Sequence, residues 1–148
     1  MDAVTHSKEE IIQLIDRLFI PVKVDSLKQS ELSKLFRVDM TPVYVTTDFK
    51  QKAHYRWTGF SRAEDFKQTL RLMKAASDID GRSYDSAIEH LSTVVDSPKS
   101  PSTPEALYLL GVVKYKKSGD FQLAVEQWRR LKLSYPNHPL IKKVDYAL

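Results

Sequence analysis

The apolar residues of this chain fall first at helical spacing, then in short β-branched runs, then at helical spacing again to the C-terminus. In "SKEEIIQLIDRLF" (7–19), Ile11, Leu14, Ile15 and Leu18 stand three, four and seven positions apart, which is one face of a helix. Ser7 followed by Glu10 has the spacing of a capping box. "FIPVKVD" (19–25) is short and β-branched, and predicts a strand interrupted near its start by Pro21. "SELSKLFR" (30–37) predicts a short helix with Leu32, Leu35 and Phe36 inward. "PVYVTTD" (42–48) and "AHYRWTGF" (53–60) predict two strands, and the short polar link between them makes the pair an antiparallel hairpin. A proline thus opens the first of these strands, where it shapes the turn and contributes no N–H.

From Ser61 to about Asp80 the pattern predicts one long helix, with a second capping box at Ser61 and Glu64. Phe66, Leu70, Leu72, Met73 and Ala76 form its apolar surface. The remainder reads as helical, broken by "SPKSPSTP" (97–104), whose three prolines cannot continue a helix. An internal repeat lies within it. "YDSAIEHL" (84–91) matches "FQLAVEQW" (121–128), pairing Ala87 with Ala124, Ile88 with Val125 and Leu91 with Trp128, and the register continues to Val94 and Leu131. A small residue followed four positions later by a large apolar one predicts close-packed helix pairs. The small side chain admits a neighbouring helix and the large one fills the space beyond it.

The residues from Leu107 to Pro136 resemble a tetratricopeptide repeat. Leu107, Leu110, Gly111, Tyr115, Gly119, Ala124, Trp128 and Pro136 fall on or within one position of that signature, allowing a one-residue insertion at "KKSGD". Thr103 would cap the leading helix, with Pro104 at its first position. The first copy is degenerate, with the signature glycine displaced to Gly81. Residues 7–76 resemble the C-terminal part of a thioredoxin fold, in the order helix, strand "IPVKVD", helix, "RVDMTPVYVTTD", hairpin, "HYRWTGF" and closing helix. Bacterial thioredoxin-like proteins with a tetratricopeptide tail resemble the whole arrangement. The fold these resemblances imply is α/β plus all-α: a truncated thioredoxin-like sheet over residues 1–76 and a tetratricopeptide-like helical hairpin pair over 77–148, with helix 61–80 shared.

The resemblance implies that Thr41 and Pro42 form the peptide-contact loop, where the family usually has a cis-proline beside a Cys-x-x-Cys dithiol. It also implies that Tyr108, Tyr115 and Lys116 line a partner groove. The first strand, the central strand and both cysteines of the family have no counterpart here. The chain is therefore expected to be a fragment of a longer reading frame, with a genuine short product as the other reading. Its sheet could close by parallel pairing of 20–25 with 42–47, or by a strand from a partner, including a second copy in a strand-pairing homodimer.

Composition narrows the chemistry. There is no cysteine, so thiolate catalysis, disulfides and iron–sulfur ligation are excluded for this chain. The net charge of +4 comes from 23 basic residues interleaved with 19 acidic ones, which predicts a solvated surface rather than a nucleic-acid footprint. The basic C-terminal residues Arg129, Arg130, Lys132, Lys142 and Lys143 are read as solvated, with an acidic partner as the other reading. His6, His54, His90 and His138 are scattered without metal spacing, and four glycines provide no phosphate cradle. No catalytic residue, metal or cofactor is expected. The polar start is not a signal peptide, and no apolar run reaches the roughly 18 residues of a membrane span, so a cytoplasmic chain is expected. The expected function is a non-catalytic interaction module with a protein or peptide partner. The alternative is a thiol–disulfide oxidoreductase completed in trans by an upstream Cys-x-x-Cys segment.

Overall fold

The computed structural model describes residues 9–97 and 100–148. The chain order is α1 (Glu9–Leu18), α2 (Ser30–Leu35), β1 (Val43–Thr47), β2 (Ala53–Thr58), α3 (Ala63–Asp80), α4 (Tyr84–Asp96), α5 (Thr103–Ser118), α6 (Phe121–Ser134) and α7 (Ile141–Val144), closed by a 3-10 turn, Asp145–Ala147. It is a mixed α/β protein, mostly helical, with a single two-stranded antiparallel sheet among the described residues. No helix among those residues is long and apolar enough to cross a membrane.

The expected antiparallel hairpin forms, with Val43 opposite Thr58, Tyr44 opposite Trp57, Val45 opposite Arg56 and Thr46 opposite Tyr55, and the register shifts after Thr46 so that Thr47 lies opposite Ala53. Strand residues alternate between faces. Tyr44, Tyr55 and Trp57 therefore share one face, and pack on a core of Ile11 and Leu14 from α1 with Ala63, Phe66, Leu70 and Met73 from α3. The Tyr44 and Phe66 ring centroids are 5.0 Å apart. On the opposite face, Arg56 donates to the backbone oxygen of Phe36, the residue that ends α2. Helices α1 and α3 thus cover one face of the hairpin, and the end of α2 reaches the other through this one bond.

The helices α3 to α6 stack in sequence order. Ala87, Leu91 and Val94 of α4 lie in a core with Leu72 and Ala75 of α3 and Ala106, Leu110 and Val113 of α5. Their repeat partners Ala124, Trp128 and Leu131 of α6 occupy the next core with Leu107 of α5 and Val144 of α7. The two copies of the repeated pattern thus do the same packing work one layer apart. Gly119 ends α5 in the left-handed conformation (φ 77°), which spares a side chain the steric cost, and Asp120 caps α6 by accepting from the Gln122 N–H.

Several expectations are corrected. Residues 19–25 are not a strand: Ile20 and Val22 are 94% and 80% exposed, and the segment joins no sheet. The parallel pairing of 20–25 with 42–47 does not form. The intervening α2 has six residues, about 9 Å of helix, whereas a five-residue strand runs about 17 Å, so it is short for a crossover that returns the chain along the sheet. Leu35 of α2 points to solvent, while Leu32 and Phe36 are half-buried. The helix expected from Ser61 starts at Ala63, with extended Arg62 as its N-cap and no side-chain cap, so the Ser61–Glu64 capping box is absent. Ala75 rather than Ala76 is the fully buried alanine of α3. Ser102, not Thr103, precedes the first turn of α5, and the buried Thr103 Oγ1 has no hydrogen-bond partner among the described residues. The expected Ser7 cap lies outside the described residues, as do Pro98 and Lys99 of the proline-rich loop.

Candidate functional site

The hairpin presents the most distinctive backbone surface. The Gly59 N–H donates to the Pro42 carbonyl at 2.9 Å. Along an antiparallel ladder, hydrogen-bonded and non-hydrogen-bonded pairs alternate. With Pro42 and Gly59 as one bonded pair, Tyr44 with Trp57 and Thr46 with Tyr55 are the next two. Val43 and Val45 consequently direct their N–H and C=O groups to the outer edge of β1. So does Thr47, which lies beyond the register shift but between the bonded residues Thr46 and Asp48, whose N–H donates to the Lys52 oxygen. No strand meets that edge among the described residues. Exposed edges are usually guarded by charged side chains. The strand VYVTT carries none, whereas the partner strand carries His54 and Arg56.

Thr41 and Pro42 lead directly into this edge. Their peptide bond is cis, Thr41 is exposed and Pro42 is half-buried. Apolar side chains stand in solvent in the neighbouring sequence: Met40 is 62% exposed, Phe60 70% and Leu27 92%, besides Ile20 and Val22.

The far end of the hairpin is clamped. The Asp48 Oδ1 accepts from the backbone N–H groups of Lys50 and Lys52, closing the turn. The nearly buried His54 ring lies between two carboxylates, with Nδ1 2.7 Å from Asp80 at the end of α3 and Nε2 3.6 Å from Asp48. The His54 hydrogen bond, helped by Lys52, holds the Asp80 carboxyl below its ordinary value. Backbone hydrogen bonds, foremost that from Lys52, do the same for Asp48. This arrangement fixes the sheet to α3. Among the described residues, no group of histidines, aspartates and glutamates is placed to hold a metal ion.

The sheet is also tied to α5. The Tyr55 hydroxyl donates to Glu105 Oε2 at 2.9 Å, and burial, reinforced by Glu105, pushes its ionisation well above the usual tyrosine range. Tyr55 touches both the α1–α3 core and the α3–α5 core.

On the helical side, Tyr108 and Tyr115 face α6. Tyr108 stacks on Trp128 with centroids 6.3 Å apart, and Trp128 meets Phe121 edge-on at 5.8 Å. Phe121 in turn meets Tyr115 at 5.7 Å. The structure therefore joins the two tyrosines in one aromatic row. Lys116 stands outside it, exposed, and Lys143 lies over the Tyr108 ring at 5.8 Å. The edge residues Val43, Val45 and Thr47 were not singled out by the sequence pattern, although their β-branched, uncharged run was the available signal. Comparisons with protein-family models, with curated proteins and with solved structures find no match.

Proposed function

We propose that this chain is a protein-interaction module, built from part of a thioredoxin-like fold and a tetratricopeptide-like helical array, that binds its partner by strand addition at β1. The observation that carries this reading is the outer edge of β1, whose Val43, Val45 and Thr47 backbone groups are unpaired among the described residues and unguarded by charge. A strand added there gains main-chain hydrogen bonds, and the exposed Met40 and Phe60, which adjoin the two strands in the chain, offer apolar contact area beside it. The packing of the hairpin on α3, preceded in the chain by α1 and α2, and the layered equivalence of Ala87 with Ala124 support the two family resemblances. The partner is a protein or peptide, a second copy of this chain included. With no cysteine, the chain has no thiol chemistry of its own.

The alternative, an oxidoreductase completed in trans, draws on the same edge. A partner strand followed by a Cys-x-x-Cys turn would bring a dithiol toward Thr41 and Pro42, which open β1. An insulin-reduction assay separates the two readings, since an interaction module is silent whether or not its partner is bound.

The test of strand addition is a photo-crosslinking residue at Met40, with a second at the exposed Leu133 of α6 as control. Crosslinks from position 40 that disappear in Val45→Pro support the proposal. Crosslinks indifferent to Val45→Pro contradict it.

A further inference from the structure

Helices α1 and α3 pack side by side, and their facing rows leave two cations unmatched. On α1, Glu10, Gln13, Leu14 and Arg17 recur three and four residues apart, which puts them on one face; on α3, Lys67 and Arg71 are four apart. These six residues line an open cleft of about 210 Å³. Ligand pockets for drug-sized molecules start near 300 Å³, so this cleft suits a small charged group.

The cations in the row differ in their neutralisation. Lys67 Nζ lies 2.7 Å from Glu10 and 3.0 Å from Glu64. Lys74, the next cation along α3, pairs with the buried Asp78. Between them, Arg71 makes no ion pair or hydrogen bond among the described residues, and neither does Arg17 opposite it. Arg71 is half-buried, and desolvation together with the Arg17 charge lowers its ionisation below the ordinary arginine value. Two guanidiniums facing one another, one of them partly withdrawn from water, repel unless an anion lies between them.

We propose that the α1–α3 cleft binds a dianionic phosphate group, free or as a monoester, between the guanidiniums of Arg17 and Arg71. The charge count selects the ligand class: two unmatched positive charges are balanced by a dianion, whereas a carboxylate leaves one uncompensated. Guanidinium forks also match phosphate oxygens in bidentate fashion. The Gln13 amide already donates to Glu9 Oε1 at 2.8 Å and the Lys67 ammonium to Glu10 and Glu64, so the two guanidiniums are the donors left for the ligand. Glu10 and Glu64 flank the site and oppose a polyanion running along the helices, so a single phosphate group fits better than a nucleic-acid strand.

The test is nitrogen-edited NMR of the full chain titrated with sodium phosphate at constant ionic strength. The Nε–H signals of Arg17 and Arg71 shift together and saturate. Phenyl phosphate added in a second titration identifies the source: tighter binding marks a monoester, equal or weaker binding marks free phosphate. Arg17→Gln and Arg71→Gln each weaken binding by about tenfold or more, Arg71→Lys weakens it less because the charge remains, and Arg129→Gln on α6 changes nothing. Phenyl phosphate affinity falls below about pH 6, where a monoester becomes a monoanion, and that of free phosphate falls from a higher pH still, while sulfate affinity does not. The sulfate arm also controls for His90 of α4, which senses Arg71, Lys74 and Asp78. The proposal is overturned if the shifts do not saturate, if they persist in the Arg17→Gln/Arg71→Gln double variant, or if acetate binds as tightly as phosphate.

Discussion

A side chain at Gly111 would place its Cβ 2.6 Å from Nε1 of Trp128 and 3.0 Å from the Ala124 carbonyl oxygen. The absent side chain lets α5 and α6 approach until the Trp128 Nε1–H donates to the Tyr108 backbone oxygen at 3.1 Å. Gly111→Ala is therefore destabilising although alanine is the better helix former, by about 1–3 kcal/mol of overpacking. Chemical unfolding of Gly111→Ala, Trp128→Phe and the double variant checks this. Removing the indole N–H side relieves part of the clash, so the double variant is more stable than the two single losses added together.

The clamp on the hairpin gives an acid limb to stability. Asp80 and Asp48 both ionise below their ordinary value of 3.8 in the folded chain. A depressed folded value means that their contribution is complete above the unfolded value and is lost as pH falls through the folded one. Asp80→Asn thus lowers the melting temperature at neutral pH, and the difference from the parent closes as pH drops below about 4. Thermal melts of both proteins across that range measure it.

Tyr55→Phe removes the donor to Glu105 and leaves the ring in both cores. The expected cost is about 1.5–3 kcal/mol, that of a hydrogen bond to a charged group. At alkaline pH the sign is opposite to that of the aspartates: the raised Tyr55 ionisation stabilises the fold fully below about pH 10, and this contribution erodes above it. The alkaline unfolding of Tyr55→Phe is correspondingly shallower.

Proline substitutions distinguish the two edges of β1. Thr46→Pro deletes an N–H that the ladder uses and disrupts the hairpin, at a cost of about 1–3 kcal/mol. Val45→Pro deletes one that points outward, where edge strands tolerate proline, and costs less. Paired unfolding measurements on the two variants order them.

The features read correctly from the sequence were those with a local pattern. The 37-residue offset between "YDSAIEHL" and "FQLAVEQW" located Ala87, Leu91, Ala124 and Trp128, because small-to-large spacing on one helix face is a property of a few neighbouring residues. The hairpin was legible for the same reason. Residues 19–25 were misread because β-branched content is local whereas a ladder partner is not, and without one Ile20 and Val22 stay in water. The Ser61–Glu64 box had the right spacing one residue too early, since Arg62 is the N-cap. His54 with Asp80, Tyr55 with Glu105 and Arg17 with Arg71 join positions 26, 50 and 54 residues apart, and no periodicity announces such pairs.

The most direct measurement of the central claim is residue-resolved amide hydrogen exchange along β1 in dilute, isolated chain. An open outer edge predicts alternation, with fast exchange at Val43, Val45 and Thr47 and slow exchange at Tyr44 and Thr46, and slowing at the first three when a partner strand binds. Equal protection of all five amides in the isolated monomer would contradict it.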